Sequence, residues 1–92
     1  MIIYVAHAYQ DDNDVEKARK AVELMQKSDK ESTYICPLTA LACPNEIENR
    51  IDLISVCDKM VVCGKVDGYV RRETDYAILI HMGVEYVADY TE

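Results

Sequence analysis

Short continuous apolar runs recur along the chain, and longer stretches of mixed polarity separate them. The run from Ile2 to Ala6 is rich in β-branched residues, which is typical of a strand buried on both faces within a parallel sheet. Similar short runs predict three more strands, at 33–36, 60–63 and 84–88. Strands that alternate with helices indicate a parallel sheet with right-handed crossovers.

The stretches between these runs carry apolar residues at helical spacing, which predicts helices at about 14–27, 45–57 and 69–82. Asn13 and Asn45 are each followed three residues later by Glu, a capping-box-like start, and Gly83 is placed to end the third helix. Residues 37–44 are expected to form a loop. The order β-α-β-α-β-α-β predicts one α/β domain over residues 1–92, a three-layer doubly wound parallel sheet of about four strands, flavodoxin-like or Rossmann-like.

Composition and charge limit the partners and the compartment. The chain has 92 residues, a net charge of −7 and a pI of about 4.7. Because an acidic chain repels phosphate backbones, we expect no nucleic-acid polymer as a partner. The first apolar run is too short for a signal peptide, and no stretch approaches the ~18 apolar residues of a membrane span. We therefore expect a soluble cytoplasmic protein that does not associate with membranes.

The four cysteines and seven tyrosines add two further expectations. The cysteines form no C-x-x-C pair and have no neighbouring pair of histidines, which argues against zinc and against a redox motif. Cys36, Cys57 and Cys63 end apolar segments, as small buried hydrophobic residues do. We expect no metal and no cofactor. A domain this small buries only a modest share of its surface, and Tyr86 and Tyr90 near its end favour a homo-oligomer.

Ligands of a doubly wound sheet bind outside the carboxyl ends of its strands, where the strand order reverses. Candidate binding residues therefore follow the first and third strands: His7, Ala8, Tyr9, Gly64, Asp67 and Gly68. Three acids are candidates for chemistry, namely Asp52, Asp58 and Glu73. Each candidate also has an ordinary explanation. His7 and Tyr9 would be strand-end residues, Asp58 a turn residue, and the other two acids surface charges.

The segments IYVAHAY, IDLISVCDKMVVCG and DGYVRRETDYA resemble motifs of the nucleoside 2-deoxyribosyltransferase-like superfamily. The resemblance is closest to the small bacterial and phage members, and it covers nearly the whole chain as an order of elements. Ala8 stands where that family has Pro, and DGYV stands at its SxGM motif.

The resemblance implies cleavage or transfer at the N-glycosidic bond of a nucleoside or nucleotide. Glu73 matches the nucleophile that attacks C1′ of the 2-deoxyribose. Tyr9 matches the tyrosine that orients this Glu or the sugar, with Tyr4 as an alternative. Asp52 or Asp58 matches the acid that protonates the departing base. A carboxylate nucleophile divides one difficult displacement into two easier steps through a glycosyl ester.

A second hypothesis is a non-catalytic protein that holds a nucleotide, or a nucleotide-derived signal, in the same cleft. Arg71 and Arg72 would pair with its phosphate, although they would equally suit a solvated face. A third hypothesis is a small structural domain whose site has decayed. The family's transferases are oligomers that complete each site with a neighbour's C-terminal residues, for which 87–92 are the candidates here.

Overall fold

Strands and helices alternate in the computed structural model, which describes residues 1–9 and 11–87. The strands are β1 (Ile2–Ala6), β2 (Thr33–Ile35), β3 (Lys59–Cys63) and β4 (Gly83–Val87). The helices are α1 (Asp12–Ser28), α2 (Pro37–Ala40), α3 (Ile47–Ser55) and α4 (Gly68–Leu79). Apart from Val87, the residues proposed to complete a neighbouring site fall outside the described part, as do the predicted end of the last strand at Ala88 and Tyr90 of the oligomer prediction.

The four strands form one parallel sheet in the order β2-β1-β3-β4. The chain moves from β1 to one neighbour, β2, and then crosses back to β3 on the other side. The strand order therefore reverses between β1 and β3, where Ala6 pairs with Val62. This confirms the predicted small α/β fold of flavodoxin-like or Rossmann-like type, and it places the crevice between the carboxyl ends of β1 and β3.

Two apolar clusters cover the two faces of the sheet. Ile3 and Val5 pack with Ala21 and Met25 of α1 on one face. Tyr4 and Ala6 belong to the other cluster, which includes Ile54 of α3 together with Val70 and Ala77 of α4. Because successive side chains of a strand point to opposite faces, Tyr4 is directed to the layer that contains α3 and α4.

The helix starts differ from the predicted caps. Asp11 caps α1, since its Oδ1 accepts from the Asp14 amide at 2.8 Å, and Asn13 lies inside the helix. No side chain caps α3, which begins at Ile47 rather than at Asn45. Every residue in the stretch DDND is an acceptable cap. Burial of the apolar face of α1 therefore decides which one is used.

The end of α4 also differs from the prediction. The helix ends at Leu79, and Gly83 is the first residue of β4. His81 has φ 61°, and the Met82 amide donates to the Ala77 carbonyl at 2.8 Å. This is the pattern of a Schellman ending, in which glycine usually occupies the left-handed position. A histidine therefore holds that position here.

The predictions for the cysteines and for residues 37–44 are confirmed in part. Cys36 and Cys63 are buried as predicted, Cys57 is half-buried, Cys43 is exposed, and all four are free thiols. Residues 37–44, expected to form a loop, include the one-turn helix α2. Within residues 1–9 and 11–87, none of the helices has the length and apolar character needed to cross a membrane.

Candidate active site

Glu73 lies on the face of α4 that packs against the sheet, and its side chain is completely buried. Val70 and Ala77 share this buried face, because residues three and four apart align along a helix. The chain enters α4 shortly after the end of β3, so the first turns of the helix stand at the carboxyl edge of the sheet. A carboxyl group is thus held in an apolar layer beside the point where the strand order reverses.

The phenol of Tyr4 donates a hydrogen bond to Oε2 of Glu73. Tyr4 is central in β1 and fully buried, and its pKa is raised by burial and by the neighbouring Glu73 charge. The sequence left Tyr4 and Tyr9 as alternatives for the orienting tyrosine. The strand's alternation selects Tyr4, because only the even positions of β1 face α4.

Arg50 is the second partner of Glu73, and it is not among the site residues predicted from the sequence. Its Nη1 lies 3.5 Å from Oε1 of Glu73, and its Nε donates to the Pro44 carbonyl. Only 1% of Arg50 is exposed. A signal was present, since Arg50 lies between Ile47 and Ile54 on the apolar face of the predicted helix. A charged residue at such a position is more informative than any of the exposed ones.

Two tyrosine rings hold the guanidinium group. The Arg50 Cζ lies 5.4 Å from the ring centre of Tyr9 and 4.6 Å from that of Tyr69. Both distances are within the range of cation–π interactions. Tyr69 is itself fixed by a hydrogen bond of 2.9 Å from its hydroxyl to the Asn45 carbonyl. Tyr9 and Glu73 therefore belong to one cluster, with Arg50 between them.

The charge of Glu73 depends on opposing influences. The pKa of Glu73 is raised to about 7, mainly by burial and further by the charge of nearby Asp67. The Tyr4 hydrogen bond and the Arg50 charge lower this pKa in part. Oε1 of Glu73 and Nη1 of Arg50 have no hydrogen-bond partner in the described part of the chain, since their ion pair lacks hydrogen-bond geometry. Such a carboxyl group gains and loses its proton near neutral pH.

A cleft of about 260 Å³ lies next to this cluster, lined by Gly68, Tyr69 and Arg72. Its volume is near the lower end of small-molecule sites. Tyr69 is 40% exposed and contacts Arg50, so one ring separates the cleft from the buried charges.

The structure distributes the other predicted binding residues around this edge. His7 and Ala8 are buried at the end of β1, with His7 Nδ1 2.8 Å from the Ala8 carbonyl oxygen.

The other predicted binding residues lie in the loop after β3 and in the first turn of α4. Gly64 has φ 71°, a left-handed conformation that suits glycine. Asp67 caps α4 by accepting from the Val70 amide at 2.9 Å. Arg71 is exposed on the first turn of α4.

The structure does not bring the two predicted acids to Glu73. Asp58 precedes β3, and its Oδ2 accepts from the Ile2 amide at 2.7 Å, so it lies at the amino edge of the sheet. Asp52 is exposed on α3, two residues from buried Arg50 and hence on the opposite side of the helix. The prediction of either residue as the acid for the leaving base is therefore corrected.

Within the described residues, no group of three or more His, Cys, Asp or Glu side chains is arranged to hold a metal ion. No protein-family model, curated protein or solved structure matches this chain. The assignment of a function therefore rests on the motifs of the sequence and on the geometry of the Glu73 cluster.

Proposed function

We propose that this chain binds a nucleoside or nucleotide at the crevice between β1 and β3 and cleaves or transfers its N-glycosidic bond through Glu73. One observation carries the proposal. A carboxyl group stands at the reversal of strand order, with one oxygen held by the Tyr4 phenol and the other without a hydrogen-bond donor among residues 1–9 and 11–87. One oxygen is thus fixed, and the other can attack C1′ once the residues that cover Glu73 move, as an oriented nucleophile requires.

The proposed reaction has two steps. In the first, Oε1 of ionised Glu73 bonds to C1′ of the sugar, the C1′–N bond breaks, and its electron pair leaves with the base. The departing base takes a proton from solvent in the cleft, because Asp52 and Asp58 lie elsewhere. In the second step, water or another base attacks C1′, the C1′–Oε1 bond breaks with its electron pair returning to Glu73, and the proton of the attacking group passes to solvent. The ester splits the displacement as in retaining glycosidases.

A ligand can contact the Glu73 carboxylate only if the residues that cover this side chain move. Glu73 is fully buried, and the ring of Tyr69 stands between the cleft and Arg50. Tyr69 is the exposed member of this cluster. We propose that a ligand in the cleft displaces this ring and reaches the carboxylate, while Arg72 at the cleft wall faces a ligand phosphate.

Product analysis tests this proposal. The purified chain is incubated with ribo- and 2-deoxyribonucleosides and their 5′-monophosphates, and free base is quantified by chromatography. We expect base release from at least one compound, its loss in Glu73→Ala, and retained ligand binding without release in Glu73→Gln. Glu48→Gln, an exposed change on α3, serves as the matched control. Full turnover by Glu73→Gln would refute Glu73 as the nucleophile.

The second candidate is a non-catalytic nucleotide-binding protein. The observation that favours it is the complete burial of Glu73 beneath Arg50, because a nucleophile must contact its substrate. Calorimetry with the same compounds separates the two functions. Saturable binding of a nucleotide, with no free base after prolonged incubation, selects the binding protein.

The homo-oligomer and the cytoplasmic location stay predictions. Several large apolar side chains near the end of α4 and on β4 are exposed, among them Leu79 at 73% and Tyr86 at 62%. Light scattering coupled to size-exclusion chromatography measures the mass directly. A mass of one chain at all concentrations would contradict the oligomer.

A further inference from the structure

Arg50 is the largest fully buried side chain in the described part of the protein. Its polar atoms are only partly satisfied. Nε donates to the Pro44 carbonyl, whereas Nη1 lies 3.5 Å from Glu73 without a hydrogen bond. Two aromatic rings supply its other contacts, those of Tyr9 and Tyr69.

Stability alone does not account for this arrangement. A buried ion pair seldom stabilises a fold more than apolar side chains of similar volume do, and here the pair lacks hydrogen-bond geometry. Met or Leu at position 50 would continue the apolar stripe of Ile47 and Ile54. The charge of Arg50 therefore acts on something other than packing, and the charged group it faces is Glu73.

We propose that Arg50 is the positioning residue of Glu73: its guanidinium, which contacts the rings of Tyr9 and Tyr69, favours the charged form of the buried carboxylate and fixes its position. The groups that face Glu73 come from three parts of the fold. Tyr4 approaches from β1, Arg50 from α3, and Asp67 from the start of α4. Arg50 is the only cation among these three, so it opposes the effect of burial through its charge, beside the hydrogen bond from Tyr4.

The planar guanidinium is required for this geometry. Its Cζ lies within cation–π distance of both aromatic rings, while Nη1 faces Glu73 and Nε donates to the Pro44 carbonyl. Lysine supplies a point charge that cannot make these contacts together. We therefore expect Arg50→Lys to keep part of the effect on Glu73 and Arg50→Met to lose it.

Carboxyl ¹³C NMR tests the proposal without any substrate. The Glu73 signal is assigned by its absence in Glu73→Gln and is then titrated in the wild type, Arg50→Lys and Arg50→Met. We expect the Arg50→Met midpoint to rise by about 1–3 pH units, as follows from loss of an opposite charge at this distance. Arg50→Lys should give a smaller rise, and Arg19→Met, an exposed arginine on α1, should give none. An Arg50→Met midpoint within about 0.3 pH unit of the wild type would overturn the proposal.

A measurement on the wild type covers the case in which Arg50→Met does not fold. The ¹⁵N signals of the Arg50 guanidinium should shift with the same midpoint as the Glu73 carboxyl signal. Arg50 signals that stay constant through the Glu73 titration would also overturn the proposal.

The contribution of Arg50 to catalysis rests on the proposed function, but its effect on the ionisation of Glu73 does not. If base release is found, the acid limb of kcat/KM should move to higher pH in Arg50→Met by the same amount as the NMR midpoint. If no nucleoside is cleaved, the proposed function fails, and the titrations still decide the role of Arg50.

Discussion

The raised pKa of Glu73 predicts how the stability of the fold changes with pH. The pKa is about 7 in the folded chain and 4.5 ordinarily, with burial as the main cause. Between these values the unfolded chain has lost the Glu73 proton while the folded chain still holds it. Unfolding therefore releases a proton in this window, so the contribution of Glu73 to stability falls as pH rises through it and is constant above and below it. At 1.36 kcal/mol per pH unit, the loss contributed by Glu73 is about 3 kcal/mol.

Urea denaturation of the wild type and Glu73→Gln, at a series of pH values between about 4 and 8, isolates this contribution. Other carboxyl groups cancel in the comparison. One of these is Asp29, whose pKa is lowered by the Ser32 hydroxyl and then by Tyr34, so that it favours the folded state as pH rises. We subtract the free energy of unfolding of Glu73→Gln from that of the wild type. We expect this difference to decrease as pH rises from about 4.5 to about 7. A difference that is flat or that increases with pH would refute the assignment of a raised pKa to Glu73.

Three further changes test individual contacts. His81→Gly should increase the free energy of unfolding by about 0.5–1 kcal/mol, because glycine adopts the left-handed conformation without strain, and Ile80→Gly should decrease it. Asp67→Ala should cost about 0.5–2 kcal/mol by removing the cap of α4, and Asp67→Asn should retain most of that stability. Tyr4→Phe should cost about 1–3 kcal/mol and raise the pKa of Glu73, since the carboxylate loses its donor. Chemical denaturation measures all three stabilities and ¹³C NMR measures the pKa. A destabilised His81→Gly, an Asp67→Asn as unstable as Asp67→Ala, or a Tyr4→Phe with an unchanged pKa would contradict the respective argument.

Asp58 illustrates an error that reasoning from the sequence could have avoided. All strands are parallel, so residues that precede a strand lie at the amino edge and residues that follow it lie at the carboxyl edge. Asp58 precedes β3 and binds the Ile2 amide at the amino edge, whereas Glu73 follows the same strand. The order of elements alone was therefore sufficient to separate the two acids.

To tell whether Tyr4 or Tyr9 contacts the Glu73 carboxylate, the alternation of side chains along β1 is also needed. Tyr4 lies in the middle of β1 and Tyr9 follows its end, and both are members of the cluster around Glu73 and Arg50. Tyr4 donates to the carboxylate because its position in the strand directs it to the layer of α3 and α4. Tyr9 follows the strand, where alternation no longer applies, and its ring makes a cation–π contact with Arg50 instead.

The local periodicity of the chain was enough to determine the order of strands and helices, the parallel sheet and the edge at which Glu73 lies. These properties depend on residues close together in sequence and on the handedness of crossovers. The helix ends and the partners of Glu73 were decided by tertiary structure. Asp11 rather than Asn13 caps α1, and Arg50 is buried against Glu73, because the packing of helices on the sheet sets which turns and faces are covered. Contacts between α3 and α4, such as that of Arg50 with Glu73, join residues far apart in the sequence, and no local pattern specifies them.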